Sequence, residues 1–202
     1  MKNILLLALI LLPLQSFALE VKVGDILLQP LDCWSCTLIE EQEESIYSHM
    51  GIVVATEPEI IVAQSLGTVH KLPFSTWNQK TEKGQKVAVY RFQNEKAVQY
   101  IEDNKAKFLA YFQNSFEGLK YDHDFLWNNF DENGDEKMYC SEMVTKFLKG
   151  FLRIELPVKR MKFDKNREEW MKYFRGNPPD GQWGNSPADF EKSDKFYEVG
   201  EL

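Results

Sequence analysis

The chain has 202 residues, 44% of them apolar and 13% aromatic, which is enough for one domain with a substantial buried core. Its formal charge is −7 and it has no basic block, so it lacks the excess of Lys and Arg that phosphate backbones select, and nucleic acid is not an expected partner. Three cysteines and three histidines are its whole supply of thiols and imidazoles.

Residues 1–18 read as an export signal. Lys2 gives a positive start, Ile4 to Leu14 is an apolar run broken only by Pro13, and Ser16-Phe17-Ala18 is a small-x-small cleavage site. The run of 11 residues is well short of the ~20 that span a bilayer, so no stable membrane anchor is expected after cleavage. The mature chain, residues 19–202, is expected to be exported to the periplasm or beyond the cell. In such an oxidising compartment Cys33 and Cys36 of Cys33-Trp34-Ser35-Cys36 are near enough to pair, which leaves Cys140 over. A thioredoxin-like redox site would follow a strand and open a helix, whereas this motif is flanked by Pro30-Leu31-Asp32 and an acidic segment. No second ligand pair with zinc spacing is present, and neither a metal nor another cofactor is implied.

Leu19 to Leu28 reads as a strand with a turn at Gly24-Asp25, and Glu40 to Glu44 as a solvated loop or helix face. Ser48 to Ala55 is rich in β-branched residues and reads as a central strand carrying His49 near its start. Thr56 to Glu59 turns the chain, and Ile60 to Ser65 returns as the second strand of a hairpin. A two-residue turn sets Gln64 directly opposite His49, and a four-residue turn leaves it diagonal but on the same face. A register shifted by one residue would put the two on opposite faces. Gly67-Thr68-Val69 turns the chain again, Val87 to Phe92 reads as a strand, and Glu95 to Phe116 as one long helix. Strands precede and helices follow, an α+β order. The acidic run Asp131 to Glu136 lacks the oxygen spacing and terminal Glu of a calcium loop and reads as solvated. The last 40 residues read as loops and a tail wrapped on the surface.

From Ser141 to Leu152 the residues Met143, Val144, Phe147, Leu148, Phe151 and Leu152 mark one buried helical stripe, so Cys140 falls at or beside a helix N-terminus. Free backbone N–H groups and the positive end of the helix dipole there are expected to stabilise a thiolate. A cysteine hydrolase needs an imidazole to move the proton and a third group to hold that imidazole. Cys140, His49 and Gln64 can fill these catalytic roles, and the Cys140 N–H can serve as one oxyanion donor. Surface positions are expected for His70 and His123.

Four motifs in order, Gly24-Asp25-Ile26-Leu27, Ser48 to Val53, Tyr121-Asp122-x-x-Phe125 and Tyr139 to Val144, together with the tail Pro187-Ala188-Asp189-Phe190-x-x-Ser193, resemble the YiiX/YaeF-like permuted papain-like families, relatives of NlpC-type cell-wall peptidases. The resemblance implies a circularly permuted papain-like α+β fold, an antiparallel sheet or small barrel packed on helices. It also implies a Cys-His-polar triad in a cysteine amidase or peptidase. His49 and Cys140 match the family pattern, while Gln64 stands where relatives often carry Glu. Tyr139, Asp25 and Tyr121, from the same motifs, are the expected substrate-binding residues. The expected substrate is a small peptide, a muropeptide or a lipid-derived amide or ester. The rival functions are a thiol-dependent lipid acyl hydrolase or acyltransferase, and a ligand-binding module with a weakened triad.

Overall fold

The computed structural model describes residues 19–202, so the export signal read at residues 1–18 lies outside the described residues. In chain order the elements are β1 (Ile26–Gln29), α1 (Trp34–Glu43), β2 (His49–Ala55), β3 (Ile61–Leu66), β4 (Thr68–Pro73), α2 (Phe74–Trp77) and β5 (Ala88–Phe92). There follow α3 (Glu95–Asp103), α4 (Lys105–Ser115), β6 (Asn129–Phe130), β7 (Glu136–Lys137), α5 (Cys140–Leu152), β8 (Lys159–Arg160), α6 (Arg167–Tyr173), β9 (Trp183–Gly184), α7 (Pro187–Glu191) and β10 (Phe196–Glu201). Six of the strands form one antiparallel sheet in the order β10-β5-β1-β2-β3-β4. The class is α+β, as expected, although α1 lies between β1 and β2 and β10 returns to the sheet after α7.

β1 lies at the middle of this sheet and is buried along its whole length, which is why it reads as a continuous apolar run rather than an alternating one. Its residues feed two cores. Ile26 and Leu28 join Met50, Ile52 and Val54 of β2 against the helical layer, where Phe108 and Phe112 of α4 meet Met143, Val144, Phe147 and Leu148 of α5. Leu27 points the other way and packs with Val53, Val62 and Trp77. Strand alternation therefore sends His49, like Val53, to the Trp77 face and Met50 to the helical face.

Three expectations are corrected. The single helix over Glu95 to Phe116 is two helices, because Asn104 leaves helical geometry and its side chain donates to the Tyr100 carbonyl at 2.9 Å, the local competition for backbone groups that asparagine favours. The Cys33-Trp34-Ser35-Cys36 motif does open a helix just past β1: Cys33 caps α1, its sulfur accepting from Cys36 N–H at 3.2 Å, while the acidic stretch from Glu40 is a helix face, one of the two forms expected. The tail is not a surface wrapping. β10 is an edge strand of the main sheet, with Phe196 packed 4.6 Å from Phe92 between ring centroids, and α7 starts at a capping box made by Ser186 and Asp189. No described helix is long and apolar enough to cross a membrane.

Candidate active site

α5 begins at Cys140 itself, with Tyr139 as the residue before the first turn. Several contacts fix that start. Ser65 of β3 donates its hydroxyl to the Met138 carbonyl at 2.5 Å, and Ser141 donates to the Asn185 carbonyl at 3.1 Å. The Asn185 side chain donates to Thr145 at 2.6 Å, and its backbone N–H donates to the Tyr139 hydroxyl at 3.1 Å. Cys140 is thus placed by a strand, by its own helix and by the segment before α7.

The partner side chain comes from the sheet. β2 and β3 pair Gly51 with Gln64 and Ile52 with Ala63, and a bulge beyond Val53 takes up the longer turn. Gln64 is therefore diagonal to His49 on the same face, the arrangement expected for the longer turn, and its Oε1 lies 2.7 Å from His49 Nε2. An amide oxygen can only accept, so Nε2 carries the proton and the lone pair of the neutral ring lies on Nδ1. Trp77 packs beside the ring at 5.9 Å between centroids.

His49 and Cys140 line one cavity of about 690 Å³, including the part that opens on solvent. Its other walls are largely apolar: Leu31, Ile39, Leu66, Phe125, Met161, Phe163 and Trp170 take part, with Gln42, Glu43, Lys162 and Ser186 among the polar lining groups. Tyr139 and Tyr121, two of the expected substrate-binding residues, are at this cavity. Asp122 holds its motif in shape by accepting from the backbone of Asp124 and Leu126 and from Asn129, which turns Tyr121 and Phe125 toward the cavity. Asp25 is not there. It is 1% exposed and accepts from Arg91 Nε at 2.8 Å and from the Lys22 backbone at 2.7 Å, so its place in the motif is structural: it ties the start of β1 to β5. Cys33 and Cys36 form a disulfide on the cavity wall, as their spacing suggested.

Burial sets the resting protonation state. It pushes the Cys140 thiol up to about 11, although the backbone N–H groups of Met50, Ser141 and Cys140 favour the thiolate. Burial also pulls His49 down to about 4, against the hydrogen bond it donates to Gln64, with Lys80 and His70 adding to the fall. The sequence-based expectation of a stabilised thiolate is corrected here: removal from water outweighs the helix terminus, and the pair rests as thiol and neutral imidazole.

The sequence reading missed two parts of the site. Met161, Phe163, Trp170, Asn185 and Ser186 come from the tail, where Ser186-Pro187-Ala188-Asp189 was a legible capping signal. His70 is not a free surface group, since its Nε2 lies 3.0 Å from Gln64 Nε2. Taking Gly67 as the apex of a hairpin sets His70 directly opposite Gln64, which is the observed pairing. His123 is exposed, as expected.

The histidine strand precedes the cysteine helix and both contribute to one cavity, the order that the resemblance to permuted papain-like proteins implies. Residues 20–200 match the model of the permuted papain-like amidase enzymes, YaeF/YiiX, C92 family, and the chain belongs to that family. The Escherichia coli K12 protein YiiX is 30% identical over 152 residues, which is 75% of this chain and 69% of that protein. The crystal structure of the metalloprotein YiiX from Escherichia coli O157:H7 has the same fold, with a TM-score of 0.72 at 23% identity over 90% of this chain and 97% of that one. Among the described residues no group of three or more His, Cys, Asp or Glu side chains is placed to hold a metal ion.

Proposed function

We propose that this protein is an exported cysteine amidase that passes its substrate's acyl group through a thioester on Cys140. What carries the reading is that the thiol and the imidazole line one cavity while Gln64 occupies His49 Nε2 and leaves the Nδ1 lone pair for proton transfer. Because the resting pair is neutral, Nδ1 takes the thiol proton as sulfur bonds to the carbonyl carbon. The Cys140 N–H, at the start of α5, is positioned to stabilise the oxyanion that forms. Collapse breaks the C–N bond as His49 returns the proton to the leaving amine. Water, deprotonated by the same nitrogen, then releases the acid and restores the thiol.

The apolar walls favour a substrate with an apolar acyl part or side chain, within a peptide, a muropeptide-like fragment or an N-acyl amide. The same walls favour a second reading, in which the acyl donor is a lipid ester and the product is a free or transferred fatty acyl chain. The Cys33–Cys36 bond supports export, since such bonds persist in oxidising compartments.

Exposing the protein to peptide amides, muropeptide fragments, N-acyl amides and phospholipid vesicles, then weighing Cys140 peptides, tests both readings. An acyl adduct from an amide that is absent in Cys140→Ser establishes the first. An adduct from phospholipid alone replaces it with the second, and hydrolysis by Cys140→Ala removes both.

A further inference from the structure

The hydrogen bond that fixes the tautomer of His49 depends on which way the Gln64 amide faces. Its oxygen and nitrogen are nearly the same size, and turning the amide over would present an N–H donor to His49 Nε2. His49 would then have to accept through Nε2 and carry its proton on Nδ1, the atom that must receive the thiol proton. With Glu at this position both oxygens accept and the ambiguity does not arise. With Gln it does, and a further contact must decide it.

That contact is on the next strand. His70 stands directly opposite Gln64 in the β3–β4 pairing, with its Nε2 3.0 Å from Gln64 Nε2. The other ring nitrogen, Nδ1, lies 2.8 Å from the Thr68 carbonyl oxygen. A carbonyl oxygen only accepts, so a neutral His70 donates from Nδ1 and has a lone pair at Nε2. That lone pair takes an N–H from Gln64, which turns the amide oxygen toward His49. Read from its fixed end, the chain runs Thr68 carbonyl, His70, Gln64, His49, and each link leaves the next only one choice. Because β4 is an edge strand, the fixing group sits at the margin of the sheet, two strands from the imidazole it governs.

We propose that His70 is a positioning residue: by presenting an acceptor to Gln64 it holds the amide, and through it the tautomer of His49, in the form that can deprotonate Cys140. The proposal rests on the reading of His49 as the base. It explains how a Gln can serve in a place that a carboxylate would otherwise fill.

The test needs no substrate. Long-range proton–nitrogen spectra of ring-labelled histidine at pH 8 distinguish the two tautomers, and only three histidines contribute signals. In the unaltered protein His49 should carry its proton on Nε2 and His70 on Nδ1. His70 found protonated on Nε2 would overturn the proposal without any variant. His70→Glu, an acceptor, should keep the His49 spectrum, and His70→Lys, a donor, should move the His49 proton to Nδ1. His70→Lys should also slow iodoacetamide alkylation of Cys140 at least about tenfold relative to His70→Glu, since base assistance is worth more than that. Adding Gln64→Glu to His70→Lys should restore both readouts, because a carboxylate accepts from both neighbours. An unchanged His49 tautomer in His70→Lys, or equal losses in His70→Glu and His70→Lys, would show His70 to be structural only. Either outcome is independent of whether any amide is hydrolysed, so failure here and failure of the amidase reading are separable.

Discussion

Gln64 reaches His49 Nε2 at 2.7 Å although the residue directly across from it on β2 is Gly51. Gly51 itself leaves no room for a side chain. A Cβ built at that position would lie 2.5 Å from Val62 Cγ1 and 2.9 Å from the Ala63 carbonyl oxygen. Gly51→Ala must therefore push β3 aside, and an overpacked core of this kind costs ~1–3 kcal/mol. Denaturant titration should show that loss. Amide turnover, where a substrate is found, should fall further than stability does, because the displaced strand carries Gln64.

Gln64 itself separates orientation from charge. Gln64→Ala leaves His49 Nε2 without its partner and should lower kcat by about 10²-fold with little change in KM, the signature of a misplaced group rather than weakened binding. Gln64→Glu places a carboxylate beside a ring now held near about 4, and an opposite charge at that distance raises an imidazole pKa. Titration of His49 by nuclear magnetic resonance should report the rise.

The thiol offers a direct check on the neutral resting pair. Because burial pushes Cys140 up to about 11, its alkylation by iodoacetamide should be slow at pH 7 and should climb steadily from pH 8 to about 11. A rate that is already at its plateau below pH 7 would mean a preformed thiolate, with no thiol proton left for His49 to take.

Glu142, in the first turn of the same helix, gives a stability prediction. It is fully buried, accepts from Lys146 at 2.7 Å and from the Asn128 N–H at 3.1 Å, and is raised by burial from 4.5 to about 7. Its folded-state pKa is above its unfolded value, so the unfolded chain releases the proton first and Glu142 destabilises the fold as pH rises from about 4.5 to about 7. Relative to the parent protein, Glu142→Gln should gain ~3 kcal/mol across that window, at ~1.4 kcal/mol for each pH unit of displacement. His49 acts in the opposite sense. Its folded value of about 4 lies below 6.5, so its contribution is present above pH 6.5 and is lost as pH falls toward 4. The two windows overlap and their slopes largely cancel in the parent protein, so denaturant midpoints measured every half unit of pH in Glu142→Gln should show the His49 slope alone.

What the sequence disclosed about this site follows from periodicity. The stripe from Met143 to Leu152 located the helix and set Cys140 at or beside its start, which is where α5 begins. Strand parity placed Gln64 on the face of His49 before any distance was known. The same count, carried one hairpin further through Gly67, reaches His70, but Thr68 to Pro73 has one fully buried apolar residue, Val69, and so lacks the alternation that marks a strand. The cavity walls were less accessible still. Met161, Phe163 and Trp170 become neighbours of Cys140 only through long-range packing, and short elements such as β8, β9 and α7 have too few residues to show a period. Protonation states were hidden for a different reason: a helix terminus is visible in a sequence, but the depth at which it lies is not.

The tail supplies both the outermost strand of the sheet beside β5 and much of the apolar lining of the cavity that Cys140 shares. A chain not yet finished would already contain thiol, imidazole and amide, yet would have no enclosed chamber in which they could exclude water. Enclosure of Cys140 and His49 thus waits on the arrival of the final segment.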